Sequence, residues 1–325
     1  MLLLVDLLLN RLERRRPYIF PALLYFFIFS AFAGNTLIIE PDQGRQPLLQ
    51  AIQEAEATID LAIYGFTDPL LMQALIQSKE EGKKVRILLQ HFPYKNVDEN
   101  KLVISRFSAS HLNVAFARGA LLHQKTLILD QHLALVLTFN FTRSSFQSER
   151  NFGLLIKDPA MVEEIQRVFN ADWQNQKVTP QSRHLVWSPD QSRKKIINLI
   201  NQAKSTLQLY APSLSDYEVV GALANSARRG VKVQVLTSDS LSSKKWSYLQ
   251  KAGVQFAFDH ELLIHAKVVI VDQKLALLGS INFTSPSLDK NRELSVLVDE
   301  PAVLKKLLQV FKRDWELTYR GQVPP

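Results

Sequence analysis

Two stretches of this chain carry the same pattern of polar residues within apolar runs. The residues they share, in the order His, Lys, Asp and Asn, are His123, Lys125, Asp130 and Asn140 in the first stretch and His265, Lys267, Asp272 and Asn282 in the second. All four matched pairs are separated by one constant offset along the chain. A single His-x-Lys arises often by chance, whereas four polar positions repeated at one offset do not. An internal repeat constrains architecture strongly, so the sequence predicts two similar halves.

The rest of the chain follows the same duplication. In each half an apolar pattern predicts a helix that ends at a glycine, Gly82 or Gly230, and leads into an apolar strand. A closing helix in each half carries the residues Val-Phe-x-x-Asp-Trp and ends near Trp173 or Trp315. This alternation of helices and strands predicts an α/β fold. The expected organisation is a first half at 34–178, a linker at 179–190 and a second half at 191–325.

Composition limits the chemistry without choosing a substrate. The chain has 325 residues, 46% of them hydrophobic, which is ordinary for a globular protein. It contains no cysteine, and this excludes disulfides, thiolate metal sites and a cysteine nucleophile. Its formal net charge of +8 favours partners that carry phosphate, including phosphate esters, anionic lipid and nucleic acid.

The segment 1–33 has the pattern of a secretory signal. Arg14, Arg15 and Arg16 precede an apolar run at 18–33 that ends in Ala31-Phe32-Ala33. The sequence therefore predicts export, to the periplasm or beyond the cell, with cleavage after Ala33 or with an uncleaved signal anchor. A buried core helix is the alternative, and the arginine cluster and the small residues weigh against it.

Strand geometry indicates which motif residues face one another. His123 and Lys125 share a face because residues of a strand alternate sides, and the two aspartates then fall on the other parity, suited to a turn or a supporting position. A symmetric hairpin centred between positions 131 and 132 would place His123 opposite Asn140 and Lys125 opposite Thr138. In the second copy it would place His265 opposite Asn282 and Lys267 opposite Ser280.

This set of residues suits phosphoryl transfer. A neutral imidazole is a nucleophile and proton carrier near neutral pH, and lysine, asparagine and hydroxyl groups stabilise phosphate oxygens. Two copies facing each other would place one histidine on each side of a phosphate, which permits covalent catalysis with acid–base help and requires no metal or cofactor. A hydrogen-bonded core histidine is the alternative for one copy alone. A metal site is disfavoured because lysine is a poor ligand at neutral pH.

The motif resembles that of the phospholipase D superfamily, H-x-K-x4-D-x6-G-S-x-N, which usually occurs twice. The second copy matches throughout, including Gly279 and Ser280, whereas the first has Leu137 and Thr138 at those positions. The superfamily often places a glutamate shortly after the motif, and Glu293 resembles it. The aligned residue in the first half is Asn151, with Glu149 two positions earlier.

The resemblance implies two α/β halves packed about a pseudo-twofold axis with the active site at their interface. It implies a phosphohistidine intermediate resolved by water or an alcohol, with His123 as nucleophile and His265 as general acid. The fuller second motif leaves the reverse assignment open, and Leu137 raises the expectation of a narrower first half-site. The predicted catalytic residues are His123, Lys125, Asn140, His265, Lys267 and Asn282, supported by Asp130, Thr138, Asp272, Ser280 and Glu293, with no metal or cofactor.

Three functions remain open at this level. The favoured one is a phospholipase D-type phosphodiesterase that hydrolyses phospholipid headgroups, or transfers them to an alcohol, in association with a membrane surface. The second is an exported nuclease, to which residues such as Tyr94, Lys95, Lys244 and Trp246 could contribute stacking and charge. The third is a non-catalytic phosphate-binding scaffold, for which Leu137 is the only support. The duplication predicts a monomer with an internal pseudo-dimer. For residues 92–102 two interpretations are open, a substrate-gating loop and a plain surface loop.

Overall fold

Two β-sheets with the same strand order organise the protein. The computed structural model describes residues 34–91, 100–238, 242–259 and 261–318. The predicted signal segment, most of the 92–102 loop, Tyr94 and Lys95 lie outside these residues. Within the described ranges, no helix combines the length and the apolar character needed to cross a membrane.

The described elements of the two halves are these, in chain order. The first half contains β1 Thr36–Glu40, α1 Gln46–Glu54, β2 Thr58–Ile63, α2 Pro69–Glu80, β3 Lys84–Leu89, α3 Lys101–Ala109, β4 Asn113–Phe116, β5 Thr126–Leu129, β6 Leu133–Leu137, β7 Glu149–Ile156 and α4 Pro159–Trp173. The second contains β8 Leu185–Ser188, α5 Ser192–Asn201, β9 Thr206–Tyr210, α6 Tyr217–Arg228, β10 Lys232–Thr237, α7 Ser243–Lys251, β11 Gln255–Phe258, β12 Leu263–Ile264, β13 Lys267–Val271, β14 Leu275–Gly279, α8 Ser285–Asp289, β15 Glu293–Val298 and α9 Pro301–Thr318.

The sheet topology confirms the predicted fold class. The first sheet has the order β1-β7-β6-β5-β2-β3-β4, and the second, taken from its matching edge, has the order β8-β15-β14-β13-β9-β10-β11. The short strand β12 of the second half pairs with β7 of the first, and Leu122 of the first half bridges Arg292 of the second. The halves thus contact each other through a short strand pair on one side and an equivalent single bridge on the other, each beside a His-x-Lys motif.

Matched residues start and end matched helices. The side chains of Asp68 and Asp216, at equivalent positions in the two halves, accept backbone N–H groups in the first turns of α2 and α6. Gly82 and Gly230 follow these helices, each with φ of +92°, a left-handed conformation that glycine adopts without steric cost. The helices predicted to end at these glycines are confirmed to within one residue.

A shared core joins the two halves. Apolar residues of both sheets, among them Phe152 and Tyr210, pack with α4 and α9 in one cluster. A second cluster lies where the second sheet packs against α5 and α6. Burial of this apolar area is the main stabilising contribution to the fold. Because the core continues from one half to the other, packed side chains fix the position of the two halves relative to each other.

The structure adds edge strands that the sequence patterns did not indicate. The span 179–190, predicted as a linker, contains β8, which pairs with β15 at the edge of the second sheet. Its counterpart β1 pairs with β7 in the same way. These strands are short and begin each half, so periodicity alone had few residues from which to identify them.

The predicted register of the two motif hairpins is wrong by one residue. Lys125 lies opposite Leu137, with the Leu137 N–H bonded to the Lys125 carbonyl, and Lys267 lies opposite Gly279. The loops contain three residues, and Asp130 and Asp272 adopt left-handed φ values of 52° and 49°. An odd loop moves the returning strand by one position, so Thr138 and Ser280 do not face the lysines.

Candidate active site

His123 lies just before β5 and is held by the opposite half. Its backbone N–H donates to the carbonyl of Arg292 at 2.9 Å. Its Nδ1 lies 2.8 Å from Oε2 of Glu293, which is fully buried at the start of β15. The Tyr64 ring meets the imidazole edge-on, with centroids 4.9 Å apart. This arrangement fixes the ring by Nδ1 and leaves Nε2 for chemistry.

His265 occupies the equivalent position and is also held across the interface. Its N–H donates to the carbonyl of Arg150 at 3.2 Å. Its Nδ1 lies 3.2 Å from Oδ1 of Asn151 and 3.5 Å from Oε2 of Glu149. The Asn151 amide donates to that same Glu149 oxygen at 2.9 Å, so the carboxylate acts on the imidazole mainly through an amide. Each histidine is therefore oriented by side chains of the other half.

The two lysine side chains are buried next to the histidines. Lys125 Nζ donates to the carbonyl of His123, and Lys267 Nζ donates to the carbonyl of His265. Lys267 also donates to the Thr138 carbonyl of the opposite half at 3.3 Å. Burial lowers the pKa of Lys267 to about 7, although the charges of Glu293 and Glu149 oppose the shift. Burial and the neighbouring Lys267 lower the pKa of Lys125 well below its usual range.

Burial and the neighbouring lysines favour the neutral form of both histidines. Burial lowers the pKa of His123, partly opposed by the negative charge of Glu293. Burial and the charges of both lysines lower the pKa of His265 well below its usual range. Burial favours the neutral acid of Glu293, but its interactions with His123 and Lys125 and its hydrogen bonds from His123 and Asn291 outweigh burial and lower the pKa of that carboxyl. Glu293 is thus an ionised partner for His123.

The remaining motif residues, two hydroxyls and two asparagines, follow the ends of β6 and β14. The Thr138 hydroxyl donates to Asn151 Oδ1 at 2.8 Å and accepts the Phe152 N–H at 2.9 Å. The Ser280 hydroxyl accepts the Leu294 N–H at 3.2 Å. Asn140 Oδ1 accepts the Gly65 N–H at 3.3 Å, and Asn282 is likewise half-buried. The two hydroxyls are fully buried and fix the neighbouring strands and Asn151.

The two aspartates of the motif lie in the hairpin loops. Asp130 accepts the N–H groups of residues 56–58, and Asp272 accepts those of residues 204–206. These bonds offset burial and lower the pKa of Asp272 to about 2. The aspartates therefore connect each hairpin to the start of the neighbouring strand, β2 or β9. No group of three or more His, Asp and Glu side chains among the described residues is arranged to hold a metal ion.

Two arginine–aspartate pairs were not identified from the sequence. Arg292 forms a bidentate ion pair with Asp172 of the first half, and Arg150 forms one with Asp314 of the second. These arginines supply the carbonyls that hold the two histidines. All four residues obey the same offset as the His-x-Lys motifs, and that offset is the signal that could have found them. Each pair joins the halves directly behind a histidine.

Comparisons with known proteins agree on a family. The family model described as "Cardiolipin synthase, PLD-like domain" matches residues 48–173 and 196–315, which together make up most of the chain. Mitochondrial cardiolipin hydrolase of Mus musculus is 30% identical over 39% of this chain and 59% of its own length. Phospholipase D of Rickettsia felis is 32% identical over 36% of this chain and 60% of its own length. The match thus spans less than two thirds of these relatives.

Longer alignments extend over both halves. Cardiolipin synthase A of Wigglesworthia glossinidia brevipalpis is 24% identical over 84% of this chain and 66% of its own length. Among solved structures, a phosphatidylserine synthase of Haemophilus influenzae superposes with a TM-score of 0.69 at 11% identity, covering 88% of this chain and 87% of that one. A polyphosphate kinase of Porphyromonas gingivalis superposes with a TM-score of 0.70 at 16% identity, covering 86% and 46%. At such identities the superpositions establish the two-half fold alone.

Proposed function

The chain belongs to the PLD-like domain family, and from that premise we propose that it is a phosphodiesterase that cleaves phospholipid headgroups through a phosphohistidine intermediate. One observation carries the proposal: the two motif histidines are half-buried at the interface, and each is oriented by the opposite half, His123 by Glu293 and His265 by Asn151. Such reciprocal holding fits a reaction in which two imidazoles act on one phosphate.

The first step is attack by His123 on phosphorus. Glu293 accepts the Nδ1–H, so the lone pair on Nε2 points away from the carboxylate and is free to attack. Bond formation between Nε2 and phosphorus leaves positive charge on the ring, which the buried carboxylate stabilises at 2.8 Å. Lys125 and Lys267 stabilise the negative charge on the non-bridging oxygens. The P–O bond to the leaving alcohol breaks as the new bond forms.

His265 then serves as the proton carrier. The bound phosphate offsets the lysine charges that depress the pKa of His265 in the free enzyme, so substrate binding restores its affinity for a proton. Protonated His265 gives that proton to the leaving oxygen. In the second step the neutral ring takes a proton from water, and the resulting hydroxide displaces His123 from phosphorus. An alcohol in place of water would give transfer instead of hydrolysis.

The phospholipid substrate is proposed from the relatives. Their names include cardiolipin hydrolase, phospholipase D and cardiolipin synthase, and all three names refer to phospholipids. A net charge of +8 suits anionic lipid surfaces.

We also propose that residues 1–33 direct export or anchor the chain to a membrane. N-terminal sequencing of the protein recovered from cell fractions tests this, and an intact Met1 in the soluble cytoplasmic fraction would contradict it.

One assay panel tests the proposed activity. Purified protein, with chelator present, is offered phosphatidylcholine, phosphatidylethanolamine and cardiolipin, each with and without an added alcohol, and separately single-stranded DNA. We expect headgroup release or exchange that His123→Ala abolishes. Cleavage of DNA without any action on lipid would assign the nuclease function, and silence on every substrate would favour the non-catalytic scaffold. A strict requirement for a divalent cation would contradict the mechanism.

A further inference from the structure

Two exposed leucines precede the two histidines at equivalent positions. Leu121 and Leu263 lie two positions before His123 and His265 and are separated by the same offset as the histidines. Their side chains are 37% and 54% exposed, whereas the intervening residues, Leu122 and Ile264, are 1% exposed. A single exposed leucine needs no explanation, but two at equivalent positions, each next to a motif histidine, call for a common one.

Exposure increases outward along each of these segments. The lysines are buried, the side chains of His123 and His265 are 14% and 26% exposed, and the leucines are the most exposed of the three. The same order holds in both halves. The leucines therefore lie at the rim of the site, above the histidines, and the lysines lie at its floor.

Strand pairing places Leu263 on the catalytic face. In the parallel pair of β12 and β7, Leu263 lies beside Glu149, and paired residues of neighbouring strands project to the same side. The Glu149 carboxylate lies 3.5 Å from His265 Nδ1. Leu263 and His265 therefore border the same opening.

Leu121 has the matching surroundings in the other half. Its carbonyl accepts the Arg292 N–H at 2.8 Å, and Leu122 bridges Arg292, so Leu121 lies beside Asn291. The Asn291 amide donates to Glu293, the partner of His123. The two leucines thus border the site from opposite halves.

We propose that Leu121 and Leu263, the leucine lips, contact the acyl-bearing glycerol part of a membrane phospholipid while its phosphate lies between the histidines. In a bilayer the phosphate lies next to the apolar acyl region. When the phosphate is bound between the histidines, the acyl region therefore contacts the rim of the site. Apolar lips on both sides fit this arrangement, whereas a nucleic-acid strand would present charge there. The inference rests on the proposed phospholipid activity and adds which residues recognise the lipid portion.

Paired substrates test the lips. The double variant Leu121→Asn/Leu263→Asn, made in the full chain, is compared with the unaltered protein on vesicles of phosphatidylcholine and cardiolipin and on soluble bis(p-nitrophenyl) phosphate. We expect headgroup release from vesicles to fall by about tenfold or more, because two leucine contacts with lipid are lost. Hydrolysis of the soluble diester should stay within about twofold, since asparagine is close in size to leucine and the histidines and their partners are unaltered.

A matched variant and the pattern of losses separate the explanations. Leu317→Asn changes a leucine that is 68% exposed near the end of α9 and should leave both activities unaltered. Equal vesicle activity in the double variant and the unaltered protein would overturn the leucine lips, as would an equal loss on both substrates. If the unaltered protein cleaves the soluble diester but no lipid, the proposed phospholipid function itself fails.

Discussion

The two half-sites contain the same pair of supporting side chains in opposite order. The second half has Asn291 and then Glu293, and the first half has Glu149 and then Asn151. In both halves the asparagine amide donates to the glutamate, but the residue nearest the histidine differs. His123 therefore contacts a carboxylate directly, whereas His265 contacts an amide oxygen. Exchanging the positions of glutamate and asparagine thus gives the two imidazoles of a duplicated fold different hydrogen-bond partners.

That inequality suits the two rings to the different roles proposed for them. A phosphorylated imidazole that keeps its Nδ1–H is positively charged, and a buried carboxylate stabilises it more than a neutral amide does. A proton carrier instead benefits from a pKa that rises when substrate charge binds, and a bound phosphate would offset the lysine charges that lower the pKa of His265. The contrast favours His123 as the nucleophile on physical grounds.

The first motif has Leu137 where the family pattern has glycine, and a glycine on the neighbouring strand makes room for it. Leu137 lies opposite Gly153, and Gly279 lies opposite Ser295. A side chain at Gly153 would meet Leu137 Cδ2 at 2.6 Å, so Leu137 occupies the space that this glycine leaves. Leu137 is fully buried in the sheet, so it gives no support to a non-catalytic first half.

The largest expected effect concerns the two histidines. His123→Ala and His265→Ala should each lower kcat on a phospholipid by about 10⁴-fold or more, because covalent and acid–base catalysis are lost. Only the His265 variant should accumulate phospho-enzyme with a substrate that has a good leaving group, since attack then needs no proton donor. Mapping of the labelled peptide checks this, and a label on His265 in the unaltered enzyme would reverse the assignment.

The side chains that orient the two histidines should differ in their effect on kcat. Glu293→Gln removes the charge beside His123 and should lower kcat by about 10²–10³-fold, while Asn151→Ser beside His265 should lower it by about tenfold. Steady-state kinetics on one phospholipid compares the two variants. Equal losses would mean that the carboxylate–imidazole contact confers no special role on His123.

The pH dependence of kcat/KM should reflect the protonation of Lys267. Lys267 has a pKa of about 7 in the free enzyme and must be charged to bind phosphate, so kcat/KM should fall as pH rises above about 7, by up to about tenfold per unit. Lys267→Arg keeps its charge and should move this decline to higher pH in whatever activity it retains. A flat profile between pH 7 and 9 would show that Lys267 stays protonated throughout.

The buried Lys267 should also lower the free energy of unfolding. Its pKa is lower in the folded state than the ordinary 10.5, so the unfolded chain binds more protons between about pH 7 and 10.5, and stability rises with pH across that window. Lys267→Met should raise the free energy of unfolding by about 1–4 kcal/mol below pH 7, with the gain shrinking toward pH 10.5. Urea denaturation at several pH values measures it, and a constant difference would contradict the linkage.

The smallest effect tests the exchange of glycines. Gly153→Ala should destabilise the fold by about 1–3 kcal/mol, and the double variant Gly153→Ala/Leu137→Ala should lose less than the sum of the two single losses, because the truncated side chain no longer clashes. Gly279→Ala serves as the contrast, because the added carbon would meet the Leu294 carbonyl at 2.3 Å and the backbone cannot withdraw as a side chain can. Full additivity of the first two changes would show that Leu137 does not occupy the space beside Gly153.

The sequence by itself determined the duplication, the α/β class and the family. Matched helix stops at Gly82 and Gly230 and the repeated His-x-Lys motif are local signals, and they need no knowledge of distant contacts. The same information predicted that the two aspartates lie in turns, which the structure confirms. These features were readable because each depends on residues within a few positions along the chain.

Only the tertiary structure decided how the two halves cooperate. The pairing of His123 with Glu293 joins residues 170 positions apart, and the Arg292–Asp172 pair joins residues 120 apart. The hairpin register depended on the left-handed backbone at Asp130, which two-residue alternation does not reveal. Side chains from separate halves meet because a shared core packs the sheets together, and packing of that kind is a property of the whole chain.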